Sequence, residues 1–229
     1  MLKLHSVSGR DSFFAKLSIL ALFLSLGILE GCSGARYVTV RVPPEVDLRG
    51  YEAIGIIEFE SNADAAINRY ATQRFQSSVQ AAQPGARLVE LGTAESVLAT
   101  IGAKQLDADA IKKIGTRYGV AAVFQGNITY SEPNVSIRGI MEPAGAQGGV
   151  RAEMRGDMFA KLVETKTAAS VWSNSSWMTK QLGGVRVSGD HGITGAVQTS
   201  NPRQEMVLAL VHAVLTGLRE STAKQRAPN

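Results

Sequence analysis

The sequence predicts an α/β fold, with a mixed sheet, flanking helices, a C-terminal antiparallel hairpin and a final helix. Three observations support this class. Ala53–Glu60 is an apolar stretch with side chains for both faces of a sheet, as in a central strand covered by helices. Capped segments with apolar residues three and four positions apart indicate helices. From Val150 to Leu162 apolar and polar residues alternate, which indicates a strand with one face in water.

The first half of the domain is predicted to alternate strands and helices. A helix is expected over Asp64–Ala82, where apolar residues recur at helical spacing, and Gln83-Pro84-Gly85 ends it. The remaining predicted elements of this half are a strand over Arg87–Leu91, a helix over Ala94–Ile101, a helix over Ala108–Tyr118 with Asp107 as its cap, and a strand over Ala121–Tyr130.

The second half is predicted to hold the hairpin and the final helix. Val150–Leu162 turns at Glu164–Thr167 and returns as an antiparallel partner over Ala169–Met178. The final helix begins at Pro202, with Asn201 as its cap. Its apolar stripe comprises Val207, Leu210, Val211, Val214 and Leu218.

Two segments are predicted to be irregular because glycine and proline are frequent in them. Ser131–Gly149 contains two prolines and four glycines and is expected to be a mobile loop or linker. Lys180–Ser200 is also Gly-rich and is expected to lack regular structure.

The first 31 residues resemble a bacterial signal peptide. A segment carrying Lys3, Arg10 and Lys16 precedes Leu17–Leu29, an uncharged apolar run of 13 residues. A membrane-spanning helix needs roughly 20 such residues, so this run suits the core of a signal peptide better. We therefore expect residues 1–31 to be removed on export.

The tetrapeptide Leu29-Glu30-Gly31-Cys32 resembles the bacterial lipobox, in which an aliphatic residue, a variable position and a small residue precede a cysteine. Gly31 leaves room at the scissile peptide bond, and the Cys32 thiol is the nucleophile that takes the diacylglyceryl group. Glu30 departs from the small neutral residue usually found there. The alternative is a chance cysteine after an ordinary signal peptide or a short membrane anchor.

The lipobox resemblance implies cleavage between Gly31 and Cys32 and a mature N-terminus that carries several acyl chains, palmitate among them. Stable anchoring to membrane lipid needs more than one such chain. Ser33 rather than aspartate follows the cysteine, which by analogy with sorting in Gram-negative bacteria implies the outer membrane. The expected location is therefore a lipid-anchored position that faces the periplasm.

Charge and cysteine content exclude several functions. The formal net charge is +4, and the basic residues are scattered rather than clustered along a nucleic acid backbone, so we expect no nucleic acid partner. Cys32 is the only cysteine, which rules out an internal disulfide and any site with several thiolate ligands. We expect no cofactor and no metal.

Three stretches resemble the lipoproteins with a TolB-N-terminal-like domain, a group that includes the curli-secretion CsgG family and the lipoprotein activators of penicillin-binding proteins. Ile54–Phe59 is similar to the opening strand of that group. Ala110–Ile128 is similar to its lysine-rich helix and the aliphatic strand that follows. Ala160–Trp172 resembles its hairpin, in which a turn with threonine leads to a strand ending in tryptophan. None of these stretches carries a catalytic residue.

Side chains with chemical potential are few, and each has a structural alternative. Asp190 and His191 lie together in a polar loop, but no second ligand stands at a matching spacing. His212 is expected to be a partly buried packing residue of the final helix. Glu58 and Glu60 end the first strand, where solvated carboxylates are the simpler interpretation.

Trp172 and Trp177 are the candidate partner-binding residues. Both lie in the hairpin, where they could form an exposed aromatic patch or be buried in the core.

The sequence thus predicts a non-catalytic lipoprotein that binds, scaffolds or regulates an envelope protein partner. Its expected organisation is a signal peptide (1–31), a lipidated tether (32–50) and an α/β domain (51–229). The alternative is a homo-oligomeric subunit of an outer-membrane secretion or transport complex. A hydrolase using Asp190 and His191 is the least favoured interpretation.

Overall fold

The computed structural model describes residues 37–142, 145–188, 192–197 and 201–226. In chain order the strands and helices are β1 (Tyr37–Val42), β2 (Ile54–Ile57), β3 (Glu60–Ser61), α1 (Ala65–Ala82), β4 (Leu88–Gly92), α2 (Ala94–Ile101), α3 (Ala108–Tyr118), β5 (Ala122–Tyr130), β6 (Asn134–Glu142), β7 (Gly145–Glu164), β8 (Ser170–Ser188), β9 (Gly192–Val197), α4 (Pro202–Val214) and β10 (Ser221–Arg226). Short 3-10 turns lie at Leu48–Gly50 and Leu215–Leu218.

The chain divides into two units. One contains the two chain ends, and in it β1 pairs with β10 in a two-stranded sheet whose residues are exposed. The other, Val42–Ser221, contains all the other strands and helices. The predicted boundaries at residues 31 and 50 stay predictions, although Leu48 is fully buried in the second unit.

The predicted fold class is confirmed. Within the described residues the main sheet has the order β4-β2-β5-β7-β8-β9, while β3 pairs with β5 and β6 pairs with β7. β2 lies between two parallel neighbours, β4 and β5. The strands from β5 to β9 are antiparallel. The mixed sheet follows because helices connect β2, β4 and β5, whereas the later strands are separated by only a few residues along the chain.

The helices begin where their caps were predicted. Asp107 caps α3 by accepting a hydrogen bond from the Ala110 amide, and Asn201 caps α4 by accepting one from the Gln204 amide. Gly119 ends α3 in the left-handed conformation, at a φ of 67°. All five members of the predicted apolar stripe of α4 and the turn after it are buried.

The main core lies between the sheet and the pair α1 and α4. Four aromatic rings cross it in edge-to-face contacts: Phe59 to Phe75 at 4.8 Å between centroids, Phe75 to Phe124 at 5.1 Å, and Phe124 to Trp172 at 6.1 Å. A second, smaller core lies on the other face of the sheet, between its strands and the pair α2 and α3. The two cores bury opposite faces of β5, because Phe124 belongs to the first and Val123 to the second.

The lead-in to β2 is held to the core by Gln83. Its side-chain carbonyl accepts a hydrogen bond from the Leu48 amide at 2.7 Å, and its amide donates to the carbonyls of Val46 and Leu218 at 2.8 and 3.0 Å. Gln83 is 5% exposed, so these contacts satisfy a buried polar group.

The prediction that Ser131–Gly149 is a loop is wrong. Asn134–Glu142 forms β6, which pairs antiparallel with Glu153–Gly145 of β7. Its sequence alternates from Val135 to Arg138, and the glycines occupy paired strand positions, Gly139 opposite Gly148 among them. Glycine weakens a strand but does not remove its amide from the ladder, so a long partner strand can still pair with it.

The prediction that Lys180–Ser200 is irregular is also wrong over its described part. β8 continues past the predicted end at Met178 to Ser188, and Gly192–Val197 forms β9, which pairs with Ser188–Gly183. Gly183 and Gly184 lie inside β8, opposite Ala152 and Arg151 of β7. The hairpin is therefore considerably longer than its periodic apolar part.

Candidate functional site

One face of the sheet is only partly covered. α2 and α3 cover the start of β5, where Val123 packs with Val163 and Ile114. Beyond that point Gln125, Asn127 and Thr129 of β5 are partly or fully exposed. The same face of the hairpin carries a mixture of charged, polar and aromatic side chains, which we call the open face: Arg155, Asp157, Phe159 and Lys161 of β7, and Ser173, Ser175, Trp177 and Thr179 of β8.

Trp177 is the most exposed large apolar side chain of the open face, at 63% of its surface. The Arg155 guanidinium lies 4.7 Å from the centre of its ring. Asp157, which stands opposite Trp177 in the strand register, accepts hydrogen bonds from Arg155 at 2.6 Å (Nη2) and 2.9 Å (Nε). The Arg155 guanidinium thus contacts the Trp177 ring and is itself oriented by hydrogen bonds to the Asp157 carboxylate.

Electrostatics reinforce this arrangement. Hydrogen bonding from Arg155 holds the pKa of the Asp157 carboxyl below its usual range. The same bond raises the pKa of the Arg155 guanidinium. Both groups are about half exposed, so the pair orients the tryptophan more than it stabilises the fold.

Phe159 connects the open face to a pocket of about 160 Å³. The ring is 40% exposed and lies two residues along β7 from Asp157. The pocket lies past the end of β2 and is lined by Ile57, Glu58, Glu60, Ala94, Leu106, Gln125, Gly126, Phe159 and Lys161. It therefore brings together two carboxylates, one ammonium group and one amide beside an aromatic wall.

Two features of the pocket stand out. The Gln125 Nε2 atom is buried and has no hydrogen-bond partner among the described residues. At Gly126 a side chain would overlap the Phe59 ring and the backbone of Phe159, so only glycine allows β5 to approach its neighbours there. The pocket offers donors and acceptors to a polar group of a ligand or partner.

The structure separates the two candidate tryptophans. Trp172 is 4% exposed and belongs to the main core, where its indole nitrogen has no hydrogen-bond partner within the described part of the chain. Trp177 projects from the open face. The two residues are five positions apart in a regular part of β8, and this odd spacing places them on opposite faces of the strand.

Of the other predicted residues, two line the pocket, one lies elsewhere in the domain, and the rest lie outside the described residues. His212 is exposed rather than partly buried, and its ring lies 2.8 Å from the Arg219 guanidinium, so it is not a packing residue. Glu58 and Glu60 lie in the pocket. Gly31, Cys32, Asp190 and His191 lie outside the described residues.

Sequence reasoning missed Arg155, Asp157, Phe159 and Lys161 as members of the site. Their alternation correctly places them on the wet face of β7. The available signal was that Phe159 and Trp177 share the wet face of the hairpin, because neighbouring exposed aromatic side chains form an apolar patch that can mark an interaction site.

A shallower depression lies between α2 and α3. It is lined by Thr100, Ile101, Lys112, Lys113, Thr116 and Arg117, with a volume of about 580 Å³. A cationic side chain in the last turn of a helix interacts favourably with the helix dipole. The position of Arg117 in the last turn of α3 is explained by this interaction, without a ligand.

Within the described ranges no three His, Cys, Asp or Glu side chains are grouped so as to hold a metal ion. The helices of these ranges lack the combination of length and apolar character that a membrane crossing requires.

No family model matches the sequence, and no curated protein matches it. Solved structures similar to the chain include the PelC dodecamer from Paraburkholderia phytofirmans, at 11% identity and a TM-score of 0.41 over 80% of this chain and 98% of that chain. Lipoprotein GNA1162 from Neisseria meningitidis is similar at 16% identity and a TM-score of 0.34, over 70% of this chain and 96% of that chain.

The C-terminal domain of LpoB from Salmonella enterica is similar at 10% identity and a TM-score of 0.34, over 60% of this chain and 84% of that chain. The similar structures thus include a bacterial lipoprotein. Similarities at these identities and TM-scores carry no argument about function.

Proposed function

We propose that this chain is a lipoprotein of the bacterial envelope, anchored through acylated Cys32 to the outer membrane, which binds a periplasmic protein partner without catalysing a reaction. The exposed Trp177, held in place by Arg155 on the open face, is the observation that carries the proposal. Tryptophan and arginine are enriched among the residues that dominate binding energy at protein interfaces. A solvated tryptophan contributes little to folding, so its placement favours recognition.

The surroundings of Trp177 support a protein partner. An aromatic centre with a rim of polar and charged side chains is the usual composition of a transient interface. Phe159 extends the apolar centre toward the pocket, where Glu58, Glu60 and Lys161 would receive a polar side chain of the partner. Because the Arg155–Asp157 pair already fixes the ring, little conformational entropy would be lost on binding.

A photo-crosslinking amino acid at Thr179, an exposed neighbour of Trp177 on the open face, tests this proposal in living cells. We expect a discrete adduct with one envelope protein, and we expect Trp177→Ala to weaken it because the apolar centre of the interface is lost. The matched control places the same crosslinker at Val89, an exposed apolar residue of β4. Adducts of equal pattern at both positions, or none at 179, would refute a partner at the open face.

The second candidate is a subunit of an oligomeric secretion or transport complex. The main sheet has an edge at β4 and an incompletely covered edge at β8, and head-to-tail contacts between unlike edges can close into a ring. Sedimentation of the detergent-solubilised lipoprotein separates the candidates, because a ring sediments far faster than a monomer or dimer.

A further inference from the structure

The edge of the sheet at β8 is open over about half of that strand. β8 pairs with β7 along its length, and β9 covers its other side only from Gly183 to Ser188. Among the residues that the structure describes, no strand covers that side between Trp172 and Gln181. The register with β7 is free of bulges across this segment, which we call the free edge.

Backbone groups of the free edge point outward. The Ser175 amide donates to the side chain of its neighbour Asn174, at 2.9 Å, rather than to β7. In an antiparallel strand the backbone N–H and C=O groups of every second residue point away from the paired strand. Ser173, Trp177 and Thr179 therefore also direct their backbone groups away from β7. A second strand would find outward donors and acceptors there, and the Ser175 amide would exchange its bond to Asn174 for one to that strand.

The free edge lacks the usual protection against pairing. Natural edge strands are guarded by proline, by bulges or by unpaired charges. The free edge contains no proline, and its one charged residue, Lys180, is paired with Glu205 of α4 at 2.6 Å. A neutral edge can approach an identical edge without charge repulsion.

α4 lies over the free edge in a position that suits a second copy. It packs on β7 and β8, and two contacts fix it along β8: Lys180 with Glu205 near its start, and the Asn174 side chain with the Val214 carbonyl at its end, at 2.7 Å. Ala209 and Ala213 follow Glu205 by one and two turns on the same side of the helix. These small residues, exposed and half-buried, leave room beside the helix.

Distances agree with this arrangement. If two β8 strands pair, helices that lie over β7 and β8 in each copy stand two strand spacings apart, about 10 Å at about 4.8 Å per spacing. Packed helices in proteins lie about 8–10 Å apart. The sheet pairing and the helix contact can therefore form together.

We propose that two copies of this chain pair antiparallel along their free edges, about a two-fold axis near Ser176, and continue the sheet across the dimer. The free edge is bounded by the β7–β8 turn at one end and by β9 at the other, so an edge of the same length fits it. β4 offers only Leu88–Gly92 and fits less of it. The inference stands apart from the lipid anchor and the envelope partner, either of which could hold for a monomer.

Sedimentation equilibrium of the full-length lipoprotein in detergent tests the dimer, and Ser175→Pro is the decisive variant. Proline removes the outward amide and blocks pairing but takes no hydrogen bond from β7. We expect a dimer for the parent chain and for the matched control Ser175→Thr, and a monomer for Ser175→Pro. A parent that is monomeric throughout, or larger than a dimer, would overturn the proposal.

Two further variants keep the test decisive should Ser175→Pro fail to fold. Ala209→Arg places a long cationic side chain on the exposed side of α4 without breaking the helix, and we expect it to abolish the dimer. Its control is Val89→Arg on β4 at the opposite edge of the sheet, which should leave the dimer intact. When Ser175→Cys is combined with Cys32→Ala, a bismaleimide should join the chains in pairs only, while the Cys32→Ala chain without the new cysteine stays uncrosslinked. A folded Ala209→Arg protein that remains dimeric, or crosslinked ladders, would contradict the two-fold arrangement.

Discussion

At the level of single residues, the buried Tyr130 makes the stability of the folded protein depend on pH. It is 4% exposed, and burial raises the pKa of its hydroxyl to about 12. The folded state thus favours the neutral phenol. Its contribution to stability is complete below the ordinary tyrosine pKa of about 10 and is lost as pH rises toward 12.

Tyr130→Phe removes this titration. We expect the parent protein to lose more stability than the variant between pH 10 and 12, measured as the shift of the urea midpoint at each pH. Other groups that titrate in this range are common to both proteins and cancel in the comparison. Equal losses in the two proteins would show that Tyr130 is accessible to solvent when ionised.

Residue-scale features were predictable where one side chain meets a backbone group close in sequence. Asp107 and Asn201 were identified as caps because a cap depends only on the three residues that follow it. Trp172 and Trp177 were both identified as candidates, and their odd spacing of five residues places them on opposite faces of a strand. Which of the two faces is covered depends on helices distant in sequence, which the local sequence does not show.

At the scale of elements, Phe75 couples α1 to the sheet. Its ring contacts Phe59 and Phe124, and it is fully buried. Phe75→Ala should cost about 3–5 kcal/mol of unfolding free energy, since buried aromatic truncations leave a cavity. Phe159→Ala, at an exposed ring, should cost less than about 0.5 kcal/mol. Urea denaturation of both variants checks this, and similar losses would mean that Phe75 is not a core contact.

Helices and central strands were predictable because their burial creates a period in the sequence. α2 and α3 begin and end at the predicted residues. The long hairpin was underestimated because the far halves of β7 and β8 contain several glycines, and β6 follows one proline and contains Gly139. Glycine favours turns locally, yet pairing with a neighbouring strand outweighs that preference.

At the scale of the whole molecule, the open face was not predictable from any single element. The alternation in β7 shows which side chains share a face, but coverage of that face depends on where α2 and α3 pack. Those helices end their contact near Val123, and the face beyond stays open. The pocket likewise joins residues from β5, β7 and the ends of β2 and β3.

An acyl anchor at Cys32 is proposed to hold this binding domain at the envelope. Mass spectrometry of the protein purified from bacterial membranes checks that anchor. We expect a chain that begins at Cys32, lacks residues 1–31 and carries the mass of several acyl chains on that residue. Cys32→Ala should abolish the added mass and the membrane association. A mature chain with unmodified Cys32, or with residues 1–31 retained, would contradict the claim.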